Sequence, residues 1–407
     1  MKIVYVTQIV PYPPHGGVLQ RGYNLLRELA KNHRVHLLAF HHPDELPRGE
    51  PEAEARERLG SFCDRVDFVP LWPKRSRAHK ALAVALAAPY PHPFSVLAQR
   101  SRQAADILRE VTGSTDRPDL VHLDTIALAP YRKVCGAVPC VLAHHNVESQ
   151  LMERRAAVES LALVRHYLAL QARRLRRFEA VTCPQFSLNI MVSETDAELM
   201  QVIAPGIRTA LIPNGVDVEY FTPRTEAETP AIIHAGGMQM FANRDAVDWF
   251  LDEIWPVVKS AVPGVRFLGV GANPTEKLLR FASTDPQVEA SGFVPDVRPW
   301  VARAGVFVVP LRVGGGTRLK MVDAMAQGKA IVATTVGAEG IHGEDGRHFI
   351  LADDPETFAQ QVIRLLLDHD ARRALGATAR ERVETEYGWP LLAGRLAGLY
   401  SGVIAER

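Results

Sequence analysis

The chain has 407 residues, of which 47% are hydrophobic and 23% charged, and its formal net charge is +1. This length predicts two or three domains, and the balanced composition excludes a disordered, collagen-like or disulfide-stapled protein. No apolar stretch approaches the roughly 20 residues of a membrane-spanning helix, and the first residues, KIVYVT, are typical of a strand rather than a signal peptide. The 4 cysteines lack metal-ligand spacing, so we expect a cytoplasmic protein, at most peripheral at the inner membrane face.

The small net charge conceals an asymmetry along the chain. Met1–Ala180 carries 26 Lys and Arg against 18 Asp and Glu, whereas Val181–Arg407 carries 21 against 28. A basic half beside an acidic half is typical of a protein whose basic half meets a membrane surface, a lipid-phosphate acceptor or nucleic acid. The alternative is a basic face that is merely solvated.

Short β-rich runs alternate with helical stretches through the first half, which predicts a parallel α/β sheet. The strands are KIVYVT, RVHLLAF, RVDFVPL, LVHLD, CVLAHH, NIMVSE and ALIPNG. Helices are predicted over Leu19–Lys31, Ser95–Val111, a long tract Glu148–Ala180, and Thr195–Ile203.

A second α/β series follows the polar stretch Thr222–Pro230. Its strands are AIIHAGG, VRFLGVG, QVEASGF, GVFVVPL, KAIVATT and RHFILA. Its helices are Arg244–Ala261, Thr275–Ala282, Val297–Ala304, Thr317–Gln327 and Pro355–Asp368. Two successive series predict two Rossmann-like domains, 1–212 and 213–388. The last helix, within 389–407, either caps the second domain or crosses back to the first.

The segment PLRVGGGTRLKMVDAMAQGKAIVATTVGAEG, from Pro310 to Gly340, predicts a phosphate site. A glycine-rich loop follows a strand and opens a helix at Thr317, where free N–H groups and the helix dipole attract anions. Arg318 and Lys320 in the first turn oppose that dipole, which indicates a bound diphosphate between them. Asp323, further along the helix, can accept hydrogen bonds from ribose hydroxyls. The alternative is an ordinary glycine-rich turn with a solvated basic face.

With these residues the sequence resembles family 4 of the glycosyltransferases. The markers are PYPPHGG, HHNVES, VSETDAELM, PNGVDVEYF, SGFVPDVRPW and GGGTRLKMVDAMAQGKAIVAT, in this order along nearly the whole chain. The resemblance implies the GT-B fold, in which two Rossmann-like domains face a central cleft and the C-terminal helix crosses back to the first domain. It also implies transfer of a sugar from a UDP- or GDP-linked donor to a hydroxyl of a saccharide or glycolipid in surface-polysaccharide biosynthesis. The anomeric configuration of the sugar would be retained.

The family's donor-binding residues carry over unevenly. Its signature has two glutamates separated by seven residues; the second corresponds to Asp323 and the first to Gly315. An Arg and a Lys that commonly neutralise the diphosphate correspond to Gly237 and Asn243. We therefore expect Arg318 and Lys320 to supply the missing charge. The resemblance also implies donor contacts from Gly16, Gly17, Gly316, Thr317 and the backbone of Val294.

The resemblance assigns acceptor binding to the N-terminal domain. His122 and Asp124 end the strand LVHLD, and His145 follows the strand CVLA in the HHNVES segment. These three are the catalytic candidates of this domain, although a lone strand histidine is often structural. No metal-binding Asp or His pattern is evident, and Asp354 is better interpreted as a helix N-cap, so we expect metal-independent catalysis without a cofactor. By resemblance, the leaving phosphate itself can deprotonate the acceptor.

The basic stretches Lys74–Lys80 and Arg165–Arg177 lie in the first domain. With its interspersed leucines, the second predicts either an amphipathic membrane-surface helix or a core-packing helix with a solvated basic face. Nucleic-acid binding is disfavoured because interleaved aromatic residues are missing. Two rival functions remain open: a nucleotide-sugar 2-epimerase of the same fold, and a non-catalytic nucleotide-sugar-binding protein.

Overall fold

The computed structural model describes residues 1–14, 17–43, 46, 48–71, 92–159, 161–224, 229–313 and 318–406. It divides into two compact units. The N-terminal unit comprises Met1–Pro213 and Trp389–Arg407, and the C-terminal unit comprises Asn214–Gly388. The first junction lies one residue after the boundary expected from the sequence, and the last helix belongs to the N-terminal unit rather than capping the C-terminal one.

The described part of the N-terminal unit contains a sheet of seven parallel strands in the order β3-β2-β1-β4-β5-β6-β7. The strands are β1 (Lys2–Thr7), β2 (Arg34–His41), β3 (Arg65–Pro70), β4 (Leu120–Leu123), β5 (Cys140–Ala143), β6 (Leu188–Met191) and β7 (Thr209–Leu211). The strand order reverses between β1 and β4. In open α/β sheets ligands bind at this switch point, beyond the carboxyl ends of the strands.

The α-helices in the described residues of this unit are α1 (Gly17–Ala30), α2 (Glu50–Gly60), α3 (Phe94–Ala98), α4 (Arg102–Gly113), α5 (Glu148–Val158), α6 (Ala162–Thr182), α7 (Glu194–Ile203) and α15 (Trp389–Ala405). Two predicted helices are wrong in extent, because each is two helices. Ser101 interrupts the first as the N-cap of α4, its hydroxyl accepting from the Ala104 N–H. Glu159 and Leu161, both with extended backbone, interrupt the second.

The described part of the C-terminal unit contains six parallel strands in the order β10-β9-β8-β11-β12-β13. The strands are β8 (Thr229–Ala235), β9 (Arg266–Val270), β10 (Val288–Gly292), β11 (Ala304–Val309), β12 (Ala330–Ala333) and β13 (Ile350–Leu351). Its helices are α8 (Phe241–Trp249), which continues through π-helical Phe250–Ile254 into α9 (Trp255–Ala261), α10 (Glu276–Thr284), α11 (Arg298–Arg303), α12 (Leu319–Ala326), α13 (Pro355–Leu367) and α14 (His369–Glu386). The switch point lies between β8 and β11.

The C-terminal helix α15 completes the core of the N-terminal unit. It packs beside α1, and its Trp389 and Tyr400 are 1% and 0% exposed. Leu392 and Leu396 join the same apolar cluster, which includes Tyr5 of the central strand. Buried aromatic side chains contribute much of a core's hydrophobic stabilisation, so this helix is an integral part of the unit.

No helix within the described ranges has both the length and the apolar character required to cross a bilayer.

Candidate active site

A tight turn at the carboxyl end of β8 brings together residues that are distant in sequence. A Cβ atom on Gly236 would lie 2.9 Å from Asn243 Nδ2 and 3.0 Å from Lys320 Nζ, so only glycine permits this approach. Asn243 Nδ2 donates to the Gly237 carbonyl at 2.8 Å, and Lys320 Nζ donates to Asn243 Oδ1 at 2.5 Å. The turn lies at the switch point between β8 and β11, where a ligand site is expected.

Lys320 is a half-buried cation whose bonded partners are neutral. Besides Asn243, its Nζ lies 3.5 Å from Nε2 of His234, a fully buried residue of β8. It forms no ion pair with any residue that the structure describes. Burial and the neighbouring Arg318 lower the pKa of Lys320 to about 7. An ammonium group held in this way is suited to bind an anion.

Arg318 lies against a different loop from Lys320. It is the N-cap residue of α12, which begins at Leu319 rather than at the predicted Thr317. Its guanidinium donates from Nη2 to the Val336 carbonyl at 3.3 Å and lies 3.7 Å from Glu339 Oε2. The side chain is 10% exposed. Lys320 thus contacts β8 and the helix α8 that follows it, whereas Arg318 contacts the loop after β12. Strands β8 and β12 are the two neighbours of β11.

Asp323 lies inside α12 and is half-buried. Burial raises the pKa of its carboxyl to about 8. Hydrogen-bond donors from a ligand would favour ionisation of this group, as ribose hydroxyls would. Val294 is half-buried against the core of the C-terminal unit, and Gly17 is exposed at the first residue of α1. The predicted donor residues Gly16, Gly315, Gly316 and Thr317 lie outside the described residues, as does the basic stretch Lys74–Lys80.

A second polar cluster lies at the switch point of the N-terminal sheet, between β1 and β4. His122 stacks on Tyr5 with a ring separation of 4.0 Å, and its Nδ1 lies 2.7 Å from the Tyr400 hydroxyl of α15. Its Nε2 lies 3.7 Å from Asp124 Oδ1. The Tyr400 hydroxyl is within hydrogen-bond distance of Nδ1, whereas the separation of Nε2 from Asp124 Oδ1 is too long for a hydrogen bond and is an electrostatic contact. His122 and Asp124 are 2% and 1% exposed, so both side chains are buried neighbours in this cluster.

His145 is the more accessible member of the same cluster. Its Nε2 lies 3.2 Å from Asp124 Oδ2, and the two side chains are 8% and 1% exposed. Burial opposes ionisation of Asp124, but His145 and His122 outweigh burial and hold the pKa of Asp124 below its ordinary value. Asp124 therefore accepts from Nε2–H of His145 and leaves its Nδ1 as the acceptor. The structure thus brings the three predicted residues of this domain together.

Within the described ranges, no group of three or more His, Cys, Asp and Glu side chains could hold a metal ion. Asp354 accepts from the Thr357 N–H as the N-cap of α13, as predicted, and Asp353 binds the backbone and hydroxyl of Thr335. These acidic residues therefore have structural partners.

Sequence reasoning missed His234, Glu339 and Tyr400, each of which contacts a predicted site residue. His234 had a signal, because it is a polar residue in an apolar strand just before the glycine pair. Tyr400 lies 278 residues from His122, and no local pattern indicates that contact.

The fold belongs to the GT-B class of glycosyltransferase folds. It has two Rossmann-like units with polar clusters at their switch points, and its last helix returns to the first unit. Solved structures agree with this class. HepE of Anabaena in complex with UDP is 14% identical, with a TM-score of 0.67 over 99% of this chain and 100% of that one. Sucrose-phosphate synthase of Thermosynechococcus elongatus is 18% identical, with a TM-score of 0.70 over 100% of both chains.

The sequence profile described as Glycosyltransferase Family 4 matches residues 15–220, and the profile described as Glycosyl transferases group 1 matches residues 229–368. The chain therefore belongs to glycosyltransferase family 4.

Curated relatives match part of the chain. A GDP-mannose-dependent monoacylated alpha-(1-6)-phosphatidylinositol monomannoside mannosyltransferase of Corynebacterium glutamicum is 28% identical over 46% of this chain and 55% of its own length. A GDP-mannose-dependent alpha-(1-6)-phosphatidylinositol monomannoside mannosyltransferase of Mycobacterium tuberculosis is 25% identical over 53% of this chain and 61% of its own length. The matches thus span little more than half the length of these relatives.

Proposed function

We propose that the protein transfers a sugar from a nucleotide-diphosphate donor to a hydroxyl group of a saccharide or glycolipid. The observation that carries this proposal is Lys320, an ammonium group held by neutral partners beside a glycine turn at the switch point. Its charge is available for a diphosphate. The donor base is uracil or guanine, since related structures bind UDP and related enzymes are named for GDP-mannose.

The cations act mainly on the leaving group. When the bond between the anomeric carbon and the phosphate oxygen breaks, negative charge grows on the diphosphate. Arg318 and Lys320 then stabilise the transition state more than the ground state. The acceptor oxygen bonds to the anomeric carbon on the same face from which the diphosphate departs, and its proton passes to that diphosphate. Attack on this face retains the anomeric configuration without a protein nucleophile. Asp323 binds the ribose and contributes to donor affinity.

The N-terminal cluster serves the acceptor. Asp124 fixes His145 with its proton on Nε2, so that Nδ1 accepts a hydrogen bond from a sugar hydroxyl. His122, which contacts Tyr400, is the buried neighbour of Asp124 in this cluster. This arrangement positions a hydroxyl group and requires no metal or cofactor.

A panel of UDP-, GDP-, ADP- and TDP-sugars tests the proposal. We expect one nucleotide sugar to raise the melting temperature, and we expect product only when a hydroxyl acceptor is present. Conversion of the donor without acceptor would indicate the 2-epimerase instead. Donor binding without turnover for any saccharide or glycolipid acceptor would indicate a non-catalytic binding protein, and absence of binding would overturn the assignment.

We further propose that helix α6 contacts an anionic lipid surface, where a lipid-linked acceptor would lie. Its start is exposed, with Leu161 64%, Leu163 85% and Leu170 41% accessible, and exposed Arg165 and Arg173 add positive charge. From Gln171 onward the helix has buried residues that pack on the unit. The core-packing interpretation fits this second part, and we propose the membrane-surface interpretation for the exposed start alone. Exposed leucines beside arginines fit the headgroup region of an anionic bilayer.

Vesicle co-sedimentation tests this contact. The wild-type protein should bind phosphatidylglycerol vesicles and not phosphatidylcholine vesicles, and Leu163→Asp should weaken that binding several-fold. Leu279→Asp is the matched control, because Leu279 is 50% exposed on α10 of the C-terminal unit. Equal binding by all three proteins would contradict a role for α6.

A further inference from the structure

His234 contacts Lys320 through a ring whose tautomer is fixed. It lies on β8, is 0% exposed, and its Nδ1 lies 3.1 Å from the Val308 carbonyl of β11. A carbonyl oxygen only accepts hydrogen bonds, so Nδ1 carries the proton. The lone pair of Nε2 therefore faces Lys320 Nζ at 3.5 Å. Burial and then Lys320 hold the pKa of His234 well below its ordinary value, so the ring is neutral.

We infer that His234 is a positioning residue that holds Lys320 for the donor diphosphate without neutralising it. This inference rests on the proposed function. Among the residues that the structure describes, Lys320 has two bonded partners, Asn243 Oδ1 and His234 Nε2, and both are neutral acceptors. A carboxylate at either place would also orient the ammonium group, but it would cancel the charge that the diphosphate needs and would repel the anion.

The backbone around this pair is built for close approach. Gly236 leaves room for Lys320 Nζ and Asn243 Nδ2, and a Cβ on Gly271 would lie 2.1 Å from the Gly236 carbonyl oxygen. His234 is two residues before Gly236, so the strand aims its ring at the same turn. Within the described part of the chain, the charged or titratable groups that face Lys320 are His234 on β8 and Arg318 at the start of α12. His234 thus differs from a buried histidine that only fills space.

Three substitutions separate positioning from packing. His234→Gln keeps a neutral acceptor, His234→Leu removes it, and His234→Glu replaces it with a carboxylate. Affinity for inorganic diphosphate and for UDP and GDP is measured by calorimetry between pH 6 and 9, after circular dichroism and melting confirm folding. We expect the Gln variant to stay within about threefold of wild type, and the Leu and Glu variants to bind about tenfold more weakly.

The pH dependence gives the decisive readout. Loss of the acceptor disfavours the ammonium form of Lys320, so the midpoint above which diphosphate binding weakens should move to lower pH in His234→Leu. A neighbouring carboxylate favours the ammonium form, so the midpoint should move to higher pH in His234→Glu. A residue with only a packing role would lower the melting temperature and leave the midpoint in place.

His41→Leu serves as the matched control. His41 is a 2% exposed strand histidine of the N-terminal unit, whose Nε2 contacts the Leu46 carbonyl. Its replacement should lower stability without changing the affinity or the midpoint. If wild-type protein binds nucleotide but folded His234→Leu has the same affinity and midpoint, the inference is overturned. If wild-type protein binds neither diphosphate nor nucleotide, the proposed function itself fails.

Discussion

The two units have polar clusters at corresponding places in their sheets, but the charge balance of the clusters differs. In the N-terminal unit the carboxylate of Asp124 has two histidines as partners, and the buried Arg21 adds a compensating positive charge. In the C-terminal unit Lys320 is bonded to neutral groups among the described residues. A compensated cluster can hold a fixed geometry in the absence of ligand, whereas an uncompensated cation requires an anion to offset its burial.

The largest effect should follow from removing either of the two cations proposed to bind the diphosphate. Lys320→Ala and Arg318→Ala should each lower turnover about tenfold to a few hundredfold, with a smaller loss of donor affinity, since these cations act on charge that develops in the transition state. Steady-state kinetics measure both quantities. Arg312→Ala is the control, because Arg312 already pairs with Asp245 at 2.6 Å. Near wild-type kinetics in both site variants would remove the basis of the donor assignment.

In the compensated cluster, Asp124→Asn should lower turnover about tenfold to a hundredfold, because His145 loses the carboxylate that fixes its tautomer. It should also change stability. The pKa of Asp124 is lower in the folded protein than its ordinary value of 3.8, so its stabilising contribution is present above about pH 4 and is lost on further acidification. Chemical denaturation should therefore show a weaker decline in the free energy of unfolding below pH 4 for the variant. Parallel curves for both proteins would argue against this ionised pair.

The pH dependence of binding should distinguish the groups of α12. Lys320, with a pKa of about 7, loses its charge as pH rises, so binding of inorganic diphosphate should weaken above pH 7. Asp323, with a pKa of about 8, ionises more readily when ribose donates to it, so UDP or GDP should lose less affinity than diphosphate between pH 7 and 8. Asp323→Asn should abolish that difference and raise the donor KM, with turnover changing less. Identical pH profiles for diphosphate and nucleotide in the wild type would refute the ribose contact.

A smaller change should follow from Glu339→Gln. Glu339 lies 3.7 Å from Arg318, and its carboxylate competes with a bound diphosphate for that guanidinium. The variant should bind nucleotide roughly twofold to fivefold more tightly. The gain is small because a partly exposed ion pair contributes little free energy, so its loss frees Arg318 only modestly for the nucleotide. Glu344→Gln, at an exposed pair with Arg347, should leave affinity unchanged. Weaker binding by Glu339→Gln would mean that Glu339 orients Arg318 instead.

Removal of divalent metal ions should leave the activity unchanged, which is the smallest effect that we predict. If Arg318 and Lys320 neutralise the diphosphate, activity should persist in excess EDTA. Complete loss of activity that Mg²⁺ or Mn²⁺ restores would show that a metal ion supplies the charge.

The parts of the fold that depend on local pattern could be predicted from the sequence. Alternating β-rich and helical segments indicated both sheets, and a helix does follow the glycine run, although it begins at Leu319 rather than Thr317. The division of the Glu148–Ala180 tract into two helices could not be predicted, because its alanine and arginine composition favours helix throughout. Contacts across the sheet also escaped prediction, since His234 and Lys320 are 86 residues apart and share no pattern. Their proximity depends on strand order, which determines which strand ends are neighbours.

The place of α15 in the N-terminal unit has a consequence for synthesis on the ribosome. Residues 214–388 emerge before the last helix, so the C-terminal unit has its strands and helices available while the N-terminal sheet still lacks Trp389, Leu396 and Tyr400. Domains commonly fold in the order of their synthesis, but here the unit made first is completed last. Until α15 emerges, the apolar face around Tyr5 stays open to chaperones, and a stop codon just before Trp389 would leave that face uncovered in the released chain.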